Sequence, residues 1–406
     1  MKPVSRTPSA TNLEPEPGYY ALVAAGEPFR LLFPLGAALG IFGVLLWPLF
    51  VWNVMPFYPG QIHARIMIEG FLTSFVIGFL GTALPRLLDA PRLTIFETLG
   101  FAAALVGITW LHFRSETLWG DMVFFILMAA LVVTLGGRFA MRRDTPPPSF
   151  VLAALGICCA LFGSGVLVVS QVAPSTLPAW AIATARLLLF QGFLLLPIMG
   201  IGAFLLPRFF DLPSRQSFPE SHALPPGWKP RALFALVCGL AVIASFLLEA
   251  DGQVRWGMAL RAGAVVVFFV REIPFHSTGR GGGTLTLGLR LALFSIPAGY
   301  ALMAVWPERG PSFLHVVFIT GFSLLTFIVA SRVVLGHSGQ SQRFTEPLLS
   351  VRLLAALFFM AMLTRVSADW MPSIRMVHYA YAAVGWIAGV IIWAVAILPG
   401  VRKADA

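Results

Sequence analysis

Seven histidines are the residues of this chain best suited to bind a metal or carry a proton. His63, His315 and His378 stand at the start of long apolar stretches, and His337 follows the end of another. An imidazole is costly to hold in an apolar slab, so each such place marks a candidate site. Two imidazoles at one depth on different helices can take a haem iron between them, each through one ring nitrogen. The competing reading is a wet, hydrogen-bonded imidazole at the membrane surface. His63 and His315 are favoured as the pair because their positions nearly match: His63 lies seven residues before Gly70, and His315 six before Gly321. His378 is the reserve ligand.

His337 belongs to the run Arg332-Val-Val-Leu-Gly336-His337-Ser338-Gly339. Arg332 and His337 are placed to meet an anionic group, such as a haem propionate or a phosphate head group. They serve equally as cations closing a helix C-terminus. Arg65, two residues after His63, could pair a propionate or stay at the interface. His112, His222 and His276 fall at helix ends or in proline- and glycine-rich loops, and are expected at the surface. Glu69 is the main acidic group expected at membrane depth, so no proton relay is evident.

The elements that must position these groups follow from composition. Of 406 residues, 58% are apolar and 11% charged, against about 25% charged in an average soluble domain. The mean hydropathy is +0.84. This is the profile of an all-α integral membrane protein, and it excludes a cytosolic enzyme, a secreted disulfide scaffold and a disordered chain. The net charge of +10 is no nucleic-acid signal, because the basic residues sit at helix ends, where anionic lipid head groups meet them. Cys158, Cys159 and Cys238 read as packing residues.

A span needs roughly 20 apolar residues. Twelve segments qualify, near 29–52, 63–85, 93–112, 118–139, 149–172, 179–206, 231–249, 253–271, 284–305, 312–336, 347–368 and 374–398. The eighth is the least regular, since it carries Arg255 and Arg261. Residues 1–26 are polar and read as a disordered tail without a signal peptide. Residues 27–406 form a single polytopic domain. The glycine run Gly279–Gly283 lacks the Lys-Ser/Thr of a phosphate loop and reads as a linker. Arginines and lysines concentrate in the loops after even-numbered segments, which predicts cytoplasmic N- and C-termini.

An internal repeat organises the segments. Gln191-Gly192-Phe193, Gly200, Leu206-Pro207-Arg208 and Asp211 follow Glu69-Gly70-Phe71, Gly78, Leu84-Pro85-Arg86 and Asp89 at a constant offset of 122 residues. A fainter third copy runs from Thr320-Gly321-Phe322 to Arg332. The copies fall on the second, sixth and tenth segments. This predicts three four-helix units, 27–145, 146–275 and 276–400, in a pseudo-threefold bundle. The sixth segment has Ala185-Arg186 where the other two have histidine.

Pro28-Phe29-Arg30, His63-Ala64 with Met67 and Gly70, and the Arg332–Gly339 run together resemble the NnrS family over nearly the whole chain. The resemblance implies a multi-pass protein of the bacterial inner membrane, linked to the nitric oxide and nitrosative stress response. It implies haem and copper as cofactors, and respiratory or denitrification membrane proteins as partners. It also implies a distant likeness to the catalytic subunit of haem–copper oxidases, whose second and tenth helices hold a low-spin haem. The family's second histidine in this motif is Arg65 here, its histidine before Gly-Tyr is Pro297, and the last arginine of its tenth-helix motif is Gln340. The resemblance therefore carries haem b, with His63 and His315 as metal ligands, better than copper. The sixth and seventh segments offer no histidine to a second metal, so turnover of oxygen or nitric oxide is not expected. A cofactor-free transporter or channel is the alternative reading.

Overall fold

The computed structural model describes residues 18–276 and 282–404. It is helical, with no strand among the described residues. The helices are α1 Tyr19–Ala24, α2 Phe29–Val51, α3 Gly60–Leu87, α4 Ile95–Phe113, α5 Thr117–Ala140, α6 Phe150–Val172 and α7 Ala179–Phe210. They continue with α8 Trp228–Ala250, α9 Val254–Glu272, α10 Thr284–Val305, α11 Pro307–Gly336, α12 Leu349–Trp370 and α13 Pro372–Arg402. Of the tail expected to be disordered over 1–26, residues 1–17 lie outside the described residues and Tyr19–Ala24 are helical. Leu22 and Val23 are buried on α1, which packs on α2 and α4. Most of the glycine run lies outside the described residues.

Eleven of these helices are long and apolar enough to cross a membrane. The two exceptions are α1, with six residues, and α9, whose 19 residues include Arg255, Arg261, Arg271 and Glu272. Arg261 is fully buried and does not face lipid. Its guanidinium donates to Glu249 Oε2 at 2.6 Å, Gln191 Oε1 at 2.7 Å and Ser245 Oγ at 3.0 Å. A charge inside the slab is tolerable only where protein pairs it in this way.

The start of α2 and the end of α13 lie on one face, and Arg30 shows it. This fully buried side chain donates to the carbonyls of Val401 at 2.8 Å, Lys403 at 2.6 Å and His337 at 3.1 Å, and pairs with Glu27. Arg86, at the end of α3, also pairs with Glu27. One cluster thus binds the entrance of α2 to the exits of α3, α11 and α13. Eleven helices thus meet the length and hydropathy of a span where twelve segments are expected, and the remaining long helix, α9, pairs its buried Arg261 inside the protein.

The helices form a closed ring. Successive helices pack in order, α5 meets α6, α9 meets α10, and α13 returns to α2. Three helices lie innermost: the apolar windows of α3 and α7 are 78% buried and that of α11 is 67%, against 61% or less for every other span. These carry the three repeat copies. Gly78 approaches α2 so closely that a β-carbon would sit 3.1 Å from Leu32 and Phe33, and Gly200 meets α6 at 2.6 Å from Ser149 O. Asp89 and Asp211 end their helices with positive φ, 45° and 55°. Two of the four described non-glycine residues in that region are thus repeat mates.

Two expectations follow. Reporters fused at the C-terminus and inserted at 173–178 will read opposite sides of the membrane; the same side for both would overturn the crossing count. Burial alone would raise the Glu27 carboxyl, but hydrogen bonds from His337 and Arg30, with their charges, outweigh it and bring it from 4.5 down to about 2. A depressed carboxyl contributes stability above its ordinary value and loses it on acidification. The melting temperature will therefore fall as pH drops from about 4.5 to 2, and Glu27→Gln will flatten that fall.

Candidate functional site

Each inner helix departs from α-geometry at the same place. The π-helical stretches Ile66–Leu72, Leu188–Gly192 and Val316–Ser323 lie on α3, α7 and α11, each including the glycine of its repeat copy. A π turn takes in an extra residue and so rotates the helix before it by about 100°. The side chains one to two turns upstream, His63, Arg186 and His315, consequently share the wall of one cavity between the inner helices. Its volume is about 550 Å³, within the roughly 300–1,000 Å³ of cofactor and ligand sites. Ile68, Leu187, Phe190, Phe318 and Trp386 make much of the wall apolar.

Both imidazoles are held in one tautomer. His63 Nδ1 lies 2.9 Å from Gly43 O, and His315 Nδ1 2.7 Å from Pro311 O. A carbonyl only accepts, so each Nδ1 carries the proton and each Nε2 keeps its lone pair. This is how proteins orient a histidine for a metal. Trp47 supports the arrangement, with its ring 5.9 Å from His63 and 5.0 Å from Tyr379. Arg365 stacks 4.0 Å above Tyr379 and also lines the cavity. Beyond Leu72, which borders both, a smaller apolar cavity of about 110 Å³ continues between the inner helices.

The NnrS protein family model matches residues 24–403. The chain belongs to the NnrS family. No curated protein matches it.

Within this NnrS chain the cavity brings His63 and His315 together and leaves out three other expected site residues. His378 faces Ser367 Oγ at 3.4 Å and is not on the wall. Arg332 and His337 lie at the opposite end of α11, on the face of the termini. There Arg332 lies 4.3 and 4.2 Å from the rings of Phe209 and Phe344, and His337 packs tilted against Phe29 and meets Glu27 at 3.3 Å. Pro297 is buried in α10 and offers no donor where the family motif has histidine.

His112 corrects an expectation. Expected at the surface, it is 1% exposed and its Nε2 lies 2.8 Å from Glu69 Oε2. The fold brings α3, α4 and α5 together at this point. Arg65 bonds Glu69 Oε1 at 2.8 Å and pairs with Asp121, which also accepts from Gln171 Nε2 at 2.7 Å. The ligand atoms of Glu69, His112 and Asp121 lie within 4.8 Å of one another, close enough to hold a metal ion. Here the Arg65 guanidinium supplies the positive charge. The Glu69–Arg65 spacing of four on one helix was the only sequence signal for this cluster.

Replacing Arg65 with Leu leaves two buried carboxylates facing each other. A loss of roughly 3–5 kcal/mol of stability is expected, read as a lowered melting temperature in detergent. Adding Glu69→Gln and Asp121→Asn should recover most of it; no recovery would mean that packing and not charge explains the loss.

Proposed function

We propose that this NnrS-family protein binds haem b in the cavity between α3, α7 and α11, with His63 and His315 as the iron ligands. The observation that carries the reading is the pair of imidazoles on two inner helices, sharing one cavity, each with Nδ1 committed to a backbone carbonyl and Nε2 left for a metal. The residues fit the group. The wall is apolar where a macrocycle would lie, Met67 and Trp386 border it, and cationic side chains stand where carboxylates could be met. Bound haem would supply one-electron redox chemistry. The chain's own part is to fix the tautomers, keep lipid out, and hold the inner helices apart around a space wider than two packed helices leave.

Copper is not part of the reading, because Arg65 is engaged by Glu69 and Asp121 and Pro297 has no donor. Membership of the NnrS family supports reading the protein as part of the nitric oxide and nitrosative stress response, in the cytoplasmic membrane of a bacterium. We assign the face bearing the termini to the cytoplasm, where the arginine-rich loops lie. The cavity then opens toward the periplasmic side. The absence of a histidine set for a second metal on α7 and α8 favours electron transfer, sensing or haem handling over gas reduction.

The purified protein is expected to show a Soret band and the α and β bands of a low-spin haem on reduction. His63→Ala and His315→Ala should each abolish that spectrum, and His378→Ala should leave it unchanged. A haem spectrum that survives both replacements would overturn the ligands. A colourless protein from iron-replete cells would favour the cofactor-free transporter.

A further inference from the structure

The smaller cavity repeats the threefold pattern of the inner helices. Its wall takes positions 72, 75, 76, 79 and 80 of α3, the positions 122 residues later on α7, and those 250 residues later on α11. Fifteen of its eighteen lining residues are accounted for in this way. Five matched positions on each of three related helices, all facing one space, put that space on the axis that relates the helices. Four residues earlier, Ile68, Phe190 and Phe318 keep the same two offsets and line the histidine cavity. The two cavities are therefore stacked on one axis, with Leu72, Leu194 and Phe322 as the layer at their boundary.

The axial space suits neither water nor an ion. Among the described residues, Thr326 brings the one polar side chain to its wall, whereas a buried water needs about two to four polar partners. Val76, Ile198 and Thr326, at matched positions, are half-buried between buried neighbours, so the surface they keep is turned to this space. Val76 and Ile198 are β-branched and hold essentially one rotamer in a helix, so they do not swing in to close it. An empty void leaves its lining atoms without contacts, which an occupant would restore. The volume of about 110 Å³ is well under the roughly 300–1,000 Å³ of sites for larger ligands. It approaches that of an engineered apolar cavity of roughly 150 Å³ that stays dry and takes up benzene or xenon.

We propose that this axial cavity is a binding site for a small uncharged apolar molecule, of the size class of a dissolved gas, held one layer of side chains away from the histidine cavity. An apolar wall of this kind gives no hold to an ion or to a hydrogen-bonding metabolite. On the haem reading the site keeps such a molecule close to where iron would bind, and without haem the site itself is unchanged.

The test uses the purified full chain in lipid nanodiscs, with xenon as the probe, read by xenon NMR saturation transfer. The wild type should show a bound-xenon signal that empty nanodiscs lack. Val76→Phe and Ile198→Phe, each filling the space from a different helix, should abolish that signal. Val76→Ala, which enlarges the space, should strengthen it, and Phe162→Ala on the exposed surface should leave it unchanged. No signal beyond that of empty nanodiscs, the result of water or an acyl chain in the space, overturns the site. A signal that survives both Phe substitutions overturns it as well. If a Phe variant loses its cooperative melting, the Val76→Ala comparison decides, and an unchanged signal there overturns the site. Xenon needs no haem, so this site and the haem ligands can fail separately.

Discussion

A polar or charged group at membrane depth must find its partner in protein, because the bilayer core offers none. Most of this structure follows from that constraint. Arg261 is buried only because Glu249, Gln191 and Ser245 surround it. Glu69 is buried only because His112 and Arg65 reach it from two directions. Arg30 gathers three backbone carbonyls from the ends of α11 and α13. Each cluster joins several helices at once, so the polar groups help set which helices are neighbours while the apolar residues fill the space between.

The same constraint explains how one repeat yields an asymmetric centre. The three inner helices share a glycine, a π turn and a side chain reaching the cavity from upstream. The backbone device is common to all three; the residue it presents differs. Two copies present imidazole and one presents guanidinium. Behind each π turn the paired residue differs as well, being Glu69, Gln191 and Thr320, and the partners have changed with it: His112 and Arg65 for the glutamate, Arg261 for the glutamine, and a backbone carbonyl for the threonine. Divergence at matched positions thus gave a cavity lined by two imidazoles and a guanidinium, while Gly78 and Gly200 both kept a close helix contact.

The membrane class, eleven of the twelve expected segments, the repeat and the candidate pair His63 and His315 were legible in the sequence. Each rests on a property carried along the chain: mean hydropathy, runs of about 20 apolar residues, and a fixed offset between short motifs. The π turns were not legible, since one added residue in a turn leaves the apolar pattern almost unchanged. His112 was misjudged because a histidine at a helix end looks the same whether water or a carboxylate 43 residues away faces it. Arg332 and His337 looked like ligand-binding residues because a helix C-terminus with two cations suits an anion, whereas the fold spends them on Phe209, Phe344 and Glu27.

By itself, then, the sequence determined that this chain crosses a membrane many times, that its second, sixth and tenth segments are kin, and that two histidines stand at matching places on two of them. Only the tertiary structure decided that those histidines face one space, that their protons sit on Nδ1, and that Arg186 and Arg365 line the same cavity. The physical reason is that hydropathy and spacing are local to a segment. Pairing inside the bilayer is instead a choice among helices far apart in the chain, made by whichever partner can satisfy a buried charge.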